Sequence, residues 1–434
     1  MDSNAWTWRS VGRCVYGRWF ETEIIMIKYF LISAVLSVLV LALIIWLVVA
    51  LFRRSASRKY AIGLIVVETL VLGVLYNQWF VAKDYPRNYF SERAPVAVVL
   101  AETATAKDFY IGAAVVNASN PLYGELVPSA YNSITPENAT KFRQFLVSGK
   151  IGEYDFTKAD AIVDFAVSKD VRVRGHTLVW GKFSGKTYPK ELDDRIASVE
   201  DPAAELRQIM RDHITVTLNH FRGRIETWDV VNEPMSMDGP YLDKNIYLNT
   251  LGKDYIAEAF RIAHEVDPTL ELYLNEQFGN YSGEGVEVFF ELLKWLKEAN
   301  IPIHGLGIQA HSIFKTHNLV EFRQFVNRIT ELGLRFEVTE FDARIRLFDE
   351  FEDPYQAQAD YMAEHAKICI ENPHCAGFTF WGLSDKSTWF NVIPPFSMML
   401  PNDPLLFDVS SHPKPAYYRI LEAFESRKVR WAEL

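Results

Sequence analysis

A (β/α)8 TIM barrel preceded by an N-terminal transmembrane helical hairpin is the architecture this sequence predicts. Three observations carry that reading. Two long apolar runs lie before residue 83, eight short apolar strand patterns follow residue 108, and amphipathic helical patterns fill the intervals between strands. With 434 residues and 49% apolar side chains, the chain can fill a large packed core and still carry a hairpin. Strand and helix alternating eight times over this length favours a closed barrel over a doubly wound sheet.

In chain order, residues 1–25 form a tail with Arg9, Arg13 and Arg18 against Asp2, Glu21 and Glu23, and Met26, followed by Lys28, would make a sensible true start. The run at 29–52 carries no charge and is long enough to cross a bilayer as one helix. A second run at 60–82 is also long enough, but Glu68 near its middle is costly in lipid, so it reads as a second span or as an interfacial helix. Between them, RRSASRK holds Arg53, Arg54, Arg58 and Lys59 and no acid, which places the loop in the cytoplasm and both hairpin ends outside. A cleaved signal peptide does not fit, because the first run is too long and no small-residue cleavage site follows it before the basic loop. Residues 26–82 therefore read as a membrane anchor of one or two transmembrane helices, and the polar, proline-flanked stretch 83–98 as a linker. Residues 99–434 read as the barrel, expected on the extracytoplasmic side.

The candidate strands are FYIGAAVV from Phe109, YNSIT from Tyr131, VRVRGHTLVW from Val171, ETWDVV from Glu226, ELYLN from Glu271, GLGIQA from Gly305, LRFEVTE from Leu334 and GFTFWG from Gly377. Segments such as TKADAIVDFAVSK, KDYIAEAFRIAHEV and GVEVFFELLKWLKEA repeat apolar residues three and four apart, as helices packed on one face require. A barrel places catalytic groups at the C-terminal ends of its strands. Those ends carry Glu137 and Asn138, His176 to Trp180, Asn232 and Glu233, Asn275 and Glu276, Gln309 to His311, Glu340 with Asp342, and Trp381.

Glu233 and Glu340 end the fourth and seventh of these strands and so can face each other across the barrel mouth. A carboxyl at the tip of a buried strand loses water on several sides and needs a partner or a task. Two facing carboxyls suit glycoside hydrolysis, one protonating the leaving oxygen while the other attacks the anomeric carbon or activates water; a separation of about 5 to 5.5 Å would mean retention of configuration. Taken singly, either Glu could be a salt-bridged rim group, but the pair set among Asn232, Gln309 and His311 favours chemistry. A net charge of -10 argues against nucleic acid as a partner, since phosphates call for Lys and Arg on the binding face. The plentiful Trp and Tyr are compatible with sugar stacking, as they are with ordinary core packing.

Cys369 and Cys375 flank IENPH and could close a short disulfide loop outside the cytoplasm or remain two structural thiols, while Cys14 has no evident partner. His213, His220 and His264 lie on helical segments and read as satisfied or solvated. With no cluster of metal spacing and no glycine-rich phosphate loop, neither metal nor cofactor is expected. Asn117-Ala-Ser and Asn280-Tyr-Ser fit the glycosylation pattern, which often arises by chance.

The segments YNSITPENATK, GEYDFTKADAIVDFA, VRGHTLVW, WDVVNEP, GIQAH, VTEFD, FTFWG and LLFDVSSHPKPAY resemble, in order, family 10 of the glycoside hydrolases, the endo-β-1,4-xylanases, over about residues 109–424. The resemblance implies Glu233 as acid/base and Glu340 as nucleophile, with Asn232 on the 2-hydroxyl of the cleaved sugar. It implies that His311 orients Glu340 with Asp342 behind it, and that Gln309 lies near the acid/base. Glu137, Asn138 and Lys141 match the family's glycone-side hydrogen-bonding group. Asn275 matches a substrate-site residue, and His176, Trp180, Trp381 and Trp389 match its sugar-contacting and stacking residues. The spacing of Cys369 and Cys375 matches a disulfide common in the family.

These roles also make physical sense. The nucleophile must stay ionised and wants donors; the acid must hold its proton near neutrality. The sequence departs from the family at Gly181, Lys182 and Phe183, where a His and then a Gln are usual, and at Glu276, Gln277 and Phe278, where Asp, Tyr and Asn are usual. The expected protein is a membrane-anchored, outward-facing retaining endo-xylanase. The alternatives are a tethered non-catalytic glycan-binding barrel, or a hydrolase of a related β-1,4-glycan or of xylo-oligosaccharides. A signalling receptor would need a cytoplasmic effector region that the short basic loop cannot supply.

Overall fold

The computed structural model describes residues 99–237, 239–393 and 396–426. The predicted tail, membrane hairpin and linker lie outside the described residues, and among the described residues no helix is long and apolar enough to cross a membrane.

Eight parallel strands close on themselves: β1 (Tyr110–Val115), β2 (Ser133–Pro136), β3 (Arg172–Val179), β4 (Thr227–Asn232), β5 (Glu271–Glu276), β6 (Gly305–Ile308), β7 (Arg335–Ala343) and β8 (Cys375–Phe380). Each pairs with the next, β6 pairs with β7, and β8 returns to β1, so the ring has no free edge. All eight expected strands are present, with ends displaced by a few residues. One further element, the two-residue strand His311–Ser312, pairs with Asp342 and Ala343 on the end of β7. This pairing sets His311 beside Asp342.

Helices cover the outside of the ring. They start where the sequence offers caps: Asp201 before Pro202 and Asp353 before Pro354 each accept a hydrogen bond from a backbone N–H of the first turn. The apolar face of Asp254–Val266, with Tyr255, Ile256, Ala259, Phe260 and Ala263, is buried.

The barrel interior is polar beneath its mouth. Arg174 contacts Asp229 at 2.5 Å and Glu337 at 3.2 Å, Arg172 grips Glu337 at 2.6 and 3.0 Å, and the Arg174 guanidinium lies 4.5 Å from the Tyr273 ring centre. Every charge in this layer has an opposite partner, and breaking one such buried pair typically costs about 3–5 kcal/mol. Asp229 carries the order upward, its other oxygen meeting His176 Nδ1 at 2.9 Å. The floor of the mouth is thereby fixed before any side chain of the rim is placed.

Candidate active site

The ends of β4, β5 and β6 lie side by side, with Asn232 in register with Asn275 and Asn275 with Gly307. Glycine is needed at 307: a Cβ there would fall 2.2 Å from Asn275 Oδ1. The Asn275 side chain, so admitted, donates to Asn232 Oδ1 at 2.8 Å and to Glu340 Oε1 at 2.7 Å, and accepts from Thr339 Oγ1 at 2.8 Å. Gln309 Nε2 donates to Glu233 Oε1 at 3.0 Å and approaches Asn232 Oδ1 at 3.4 Å. Two amide nitrogens and one amide oxygen thus bridge the carboxyls of Glu233 and Glu340.

Glu233 follows directly on β4 with φ 51, and Ala310 has φ 58. Side chains other than glycine rarely adopt this left-handed conformation, and it collects at functional sites where surrounding structure holds it. At 233 it is held by the backbone N–H donating to Asn275 O at 2.8 Å. At 310 it separates Gln309, which faces Glu233, from His311, which faces Glu340.

His311 stands between two carboxylates, Nδ1 at 2.9 Å from Asp342 Oδ2 and Nε2 at 3.2 Å from Glu340 Oε2. Burial disfavours its charged form, but the Asp342 charge and the bonds to Asp342 and Glu340 outweigh it and raise the imidazole to about 10. The Trp389 indole N–H donates to the same Asp342 oxygen at 2.8 Å and fixes that carboxylate. Burial works to raise Glu340; the hydrogen bond from His311, the charges of His176 and His311, and the Asn275 amide overcome it and hold the carboxyl below its ordinary range. Glu340 is therefore a buried, ionised carboxylate.

On the β2 side, Asn138 donates to Glu137 at 3.0 Å, Lys141 donates to Asn138 at 2.8 Å, and the Lys141 ammonium lies 4.9 Å from the Trp180 ring centre. Burial raises the Glu137 carboxyl and lowers the Lys141 amine, both partly offset by their mutual attraction. Trp381 closes the floor edge-on to His176 and His311, with ring centres 5.5 and 6.1 Å apart. Among the buried donors of this site, Asn232 Nδ2 and Trp180 Nε1 have no hydrogen-bond partner within the described residues. Hydroxyl-rich ligands supply the acceptors such donors need.

The structure thus gathers Glu233, Glu340, Asn232, Gln309, His311, Asp342, Glu137, Asn138, Lys141, His176, Trp180, Asn275, Trp381 and Trp389 at one end of the barrel. Cys369 and Cys375 are joined by a disulfide with Cα atoms 5.4 Å apart, at the other end of β8. Among the described residues no group of His, Cys, Asp and Glu forms a metal cluster.

Two contacts escaped the sequence reading, although it marked both positions as departures. Lys182 Nζ meets Glu233 Oε2 at 3.3 Å and donates to Met235 O at 2.9 Å. Glu276 accepts from the Met235 N–H at 2.9 Å and the Gln277 N–H at 2.8 Å. Burial is the main cause that pushes its carboxyl up to about 8, with the Lys182 charge opposing and Glu233 adding. The missing signal was spatial, since residues 182, 233 and 276 are far apart in the chain.

The model of glycosyl hydrolase family 10 matches residues 100–423. A β-1,4-xylanase of Dictyoglomus thermophilum is 34% identical over 333 residues, 73% of this chain and 89% of that protein. Endo-1,4-β-xylanase B of Thermotoga neapolitana is 32% identical, over 70% of this chain and 84% of its own. Among solved structures, native xylanase 10B from Thermotoga maritima superposes with a TM-score of 0.68 at 34% identity, covering 76% of this chain and 98% of that one. Xylanase 10B from Thermotoga petrophila, in complex with xylobiose, gives a TM-score of 0.68 at 32% identity, covering 77% and 99%.

Proposed function

The chain belongs to glycosyl hydrolase family 10, and from that premise we propose that it is a membrane-tethered, retaining endo-1,4-β-xylanase. The observation that carries the chemistry is the Glu340 carboxylate, ionised and aimed by His311 and Asn275, bridged through amides to Glu233. Glu340 attacks the anomeric carbon while Glu233 gives its proton to the departing glycosidic oxygen. A water then attacks the same carbon, Glu233 takes the water's proton, and the Glu340 ester breaks to release the sugar with its configuration retained. Glu340 loses its negative charge on forming the ester, which removes repulsion from Glu233 and favours its switch from acid to base.

Asn232 Nδ2 bonds the 2-hydroxyl, a contact that strengthens as positive charge grows on the ring. Glu137, Asn138 and Lys141 hold the glycone hydroxyls, and Trp180, Trp381 and Trp389 give the sugars apolar faces. Tethering is supported by the uncharged run at 29–52 and the basic loop after it. The Cys369–Cys375 disulfide suits an oxidising compartment and supports a barrel outside the cytoplasm.

The test expresses the full chain and its Glu340→Ala variant in membranes and follows xylo-oligosaccharide release from xylan, with and without protease added to intact cells. Release by the native chain, loss in the variant and loss on external proteolysis are expected. Binding of xylan or another β-1,4-glycan without release of sugar from any of them would favour a non-catalytic glycan-binding barrel.

A further inference from the structure

The loop after β3 carries a device for the acid/base. Gly181 is pressed against Asn245, so that a Cβ at 181 would fall 2.4 Å from Asn245 Cγ. Asn245 is itself fixed, its Oδ1 accepting from the Tyr247 and Leu248 N–H groups. This packing sends the next side chain, Lys182, into the cleft, where its side chain is 8% exposed and pairs with a Glu233 side chain that is 12% exposed. Lys182 holds the Met235 carbonyl and Glu276 holds the Met235 N–H, so the backbone of the residue two beyond Glu233 is held on both sides.

We propose that Lys182 is a positioning residue for the acid/base: its ammonium, seated on Glu233 Oε2 and clamped through Met235 opposite Glu276, favours the ionised form of that carboxyl and so sets the alkaline edge of the pH range of catalysis. The proposal rests on Glu233 being the acid/base and goes beyond it in naming what controls its proton. Charged and polar groups face Glu233 from each neighbouring strand end: Lys182 after β3, Glu276 on β5, Gln309 after β6, Glu340 on β7, and Lys141 after β2. Of the two lysines, only Lys182 touches the Glu233 carboxyl, at 3.3 Å.

The experiment compares the full native chain with Lys182→Gln, which keeps a donor without the charge, and Lys182→Arg, which keeps the charge. The alkaline limb of kcat/KM on xylan is expected to move up by about one pH unit in Lys182→Gln, the effect of removing one close opposite charge, and to return toward native in Lys182→Arg. In parallel, the Glu233 carboxyl is titrated by infrared difference spectroscopy, assigned with Glu233→Gln. Its midpoint is expected to rise in Lys182→Gln by the same amount, a change that loss of packing alone would not produce. An unchanged midpoint overturns the proposal whether or not xylan is cleaved. A native chain inactive on xylan overturns the functional reading and leaves the titration to decide the role of Lys182.

Discussion

His311 is buried between Asp342 and Glu340, and that placement fixes what its loss would do. Its imidazolium supplies both a hydrogen bond and a positive charge to the Glu340 carboxylate, which has little water around it. In His311→Asn the charge goes and burial is left to act on Glu340, so less of the carboxyl is ionised at a given pH. The acidic limb of kcat/KM, which reports the free enzyme's essential base, is expected to move to higher pH. At the native optimum kcat/KM should fall by about 10²-fold, the scale of losing one preorganised donor. Measured pH profiles of native and variant check this; an acidic limb that stays in place would mean that Asn275 and the His176 charge alone keep Glu340 ionised.

The disulfide joins the end of the helix Pro354–Glu371 to the start of β8, at the barrel end opposite the carboxyls. Its loop is short, with the two cysteines six residues apart, so removing it as Cys369→Ser with Cys375→Ser is expected to cost about 2 kcal/mol in stability and to leave kcat unchanged. Denaturant unfolding and initial rates on the double variant check both halves. Elements like these were the most legible part of the sequence, because strands enclosed by helices on all sides are nearly continuous apolar runs. Strand ends were less so: β7 runs on to Ala343 because His311 and Ser312 pair with its last residues, a long-range partnership that no local pattern announces. The two carboxyls and their immediate neighbours were legible because Glu233 follows directly on its strand and the apolar run of β7 ends at Glu340. The Arg172, Arg174, Asp229 and Glu337 layer was present as residues but not as a network, and Lys182 reaches Glu233 only because Gly181 yields space to Asn245.

Across the whole molecule, protons held differently by the folded and unfolded chain give a direction to its pH dependence. Asp385 pairs with Lys414 at 2.9 Å, yet burial dominates and pushes its carboxyl up to about 7. Glu276 is pushed up to about 8, also by burial, and His311 is raised to about 10 by Asp342 and Glu340 against its burial. For each, the folded state keeps a proton that the unfolded chain gives up at lower pH, so its contribution to stability is full below the unfolded value and is lost as pH rises through the folded one. On the acid side, burial lowers His213 and His317 to about 3, so these rings resist the protonation that unfolding permits, and their contribution to stability falls as pH drops below about 6.5. Between pH 6.5 and about 7 the three raised groups act together, and from there to pH 8 Glu276 and His311 continue, while Lys141, lowered by burial, opposes them only toward its own titration. Just below pH 6.5 Asp385 and Glu276 offset the two rings, so stability of the barrel, followed by tryptophan fluorescence in urea, is expected to change little there and to fall measurably between pH 6.5 and 8. Asp385→Asn should flatten the part of that fall below about 7. A stability that holds level or rises from pH 6.5 to 8 would mean that the Lys414 charge keeps Asp385 ionised, that the two backbone N–H groups donating to Glu276 hold it as an ordinary carboxylate, and that Asp342 and Glu340 do not hold the proton on His311.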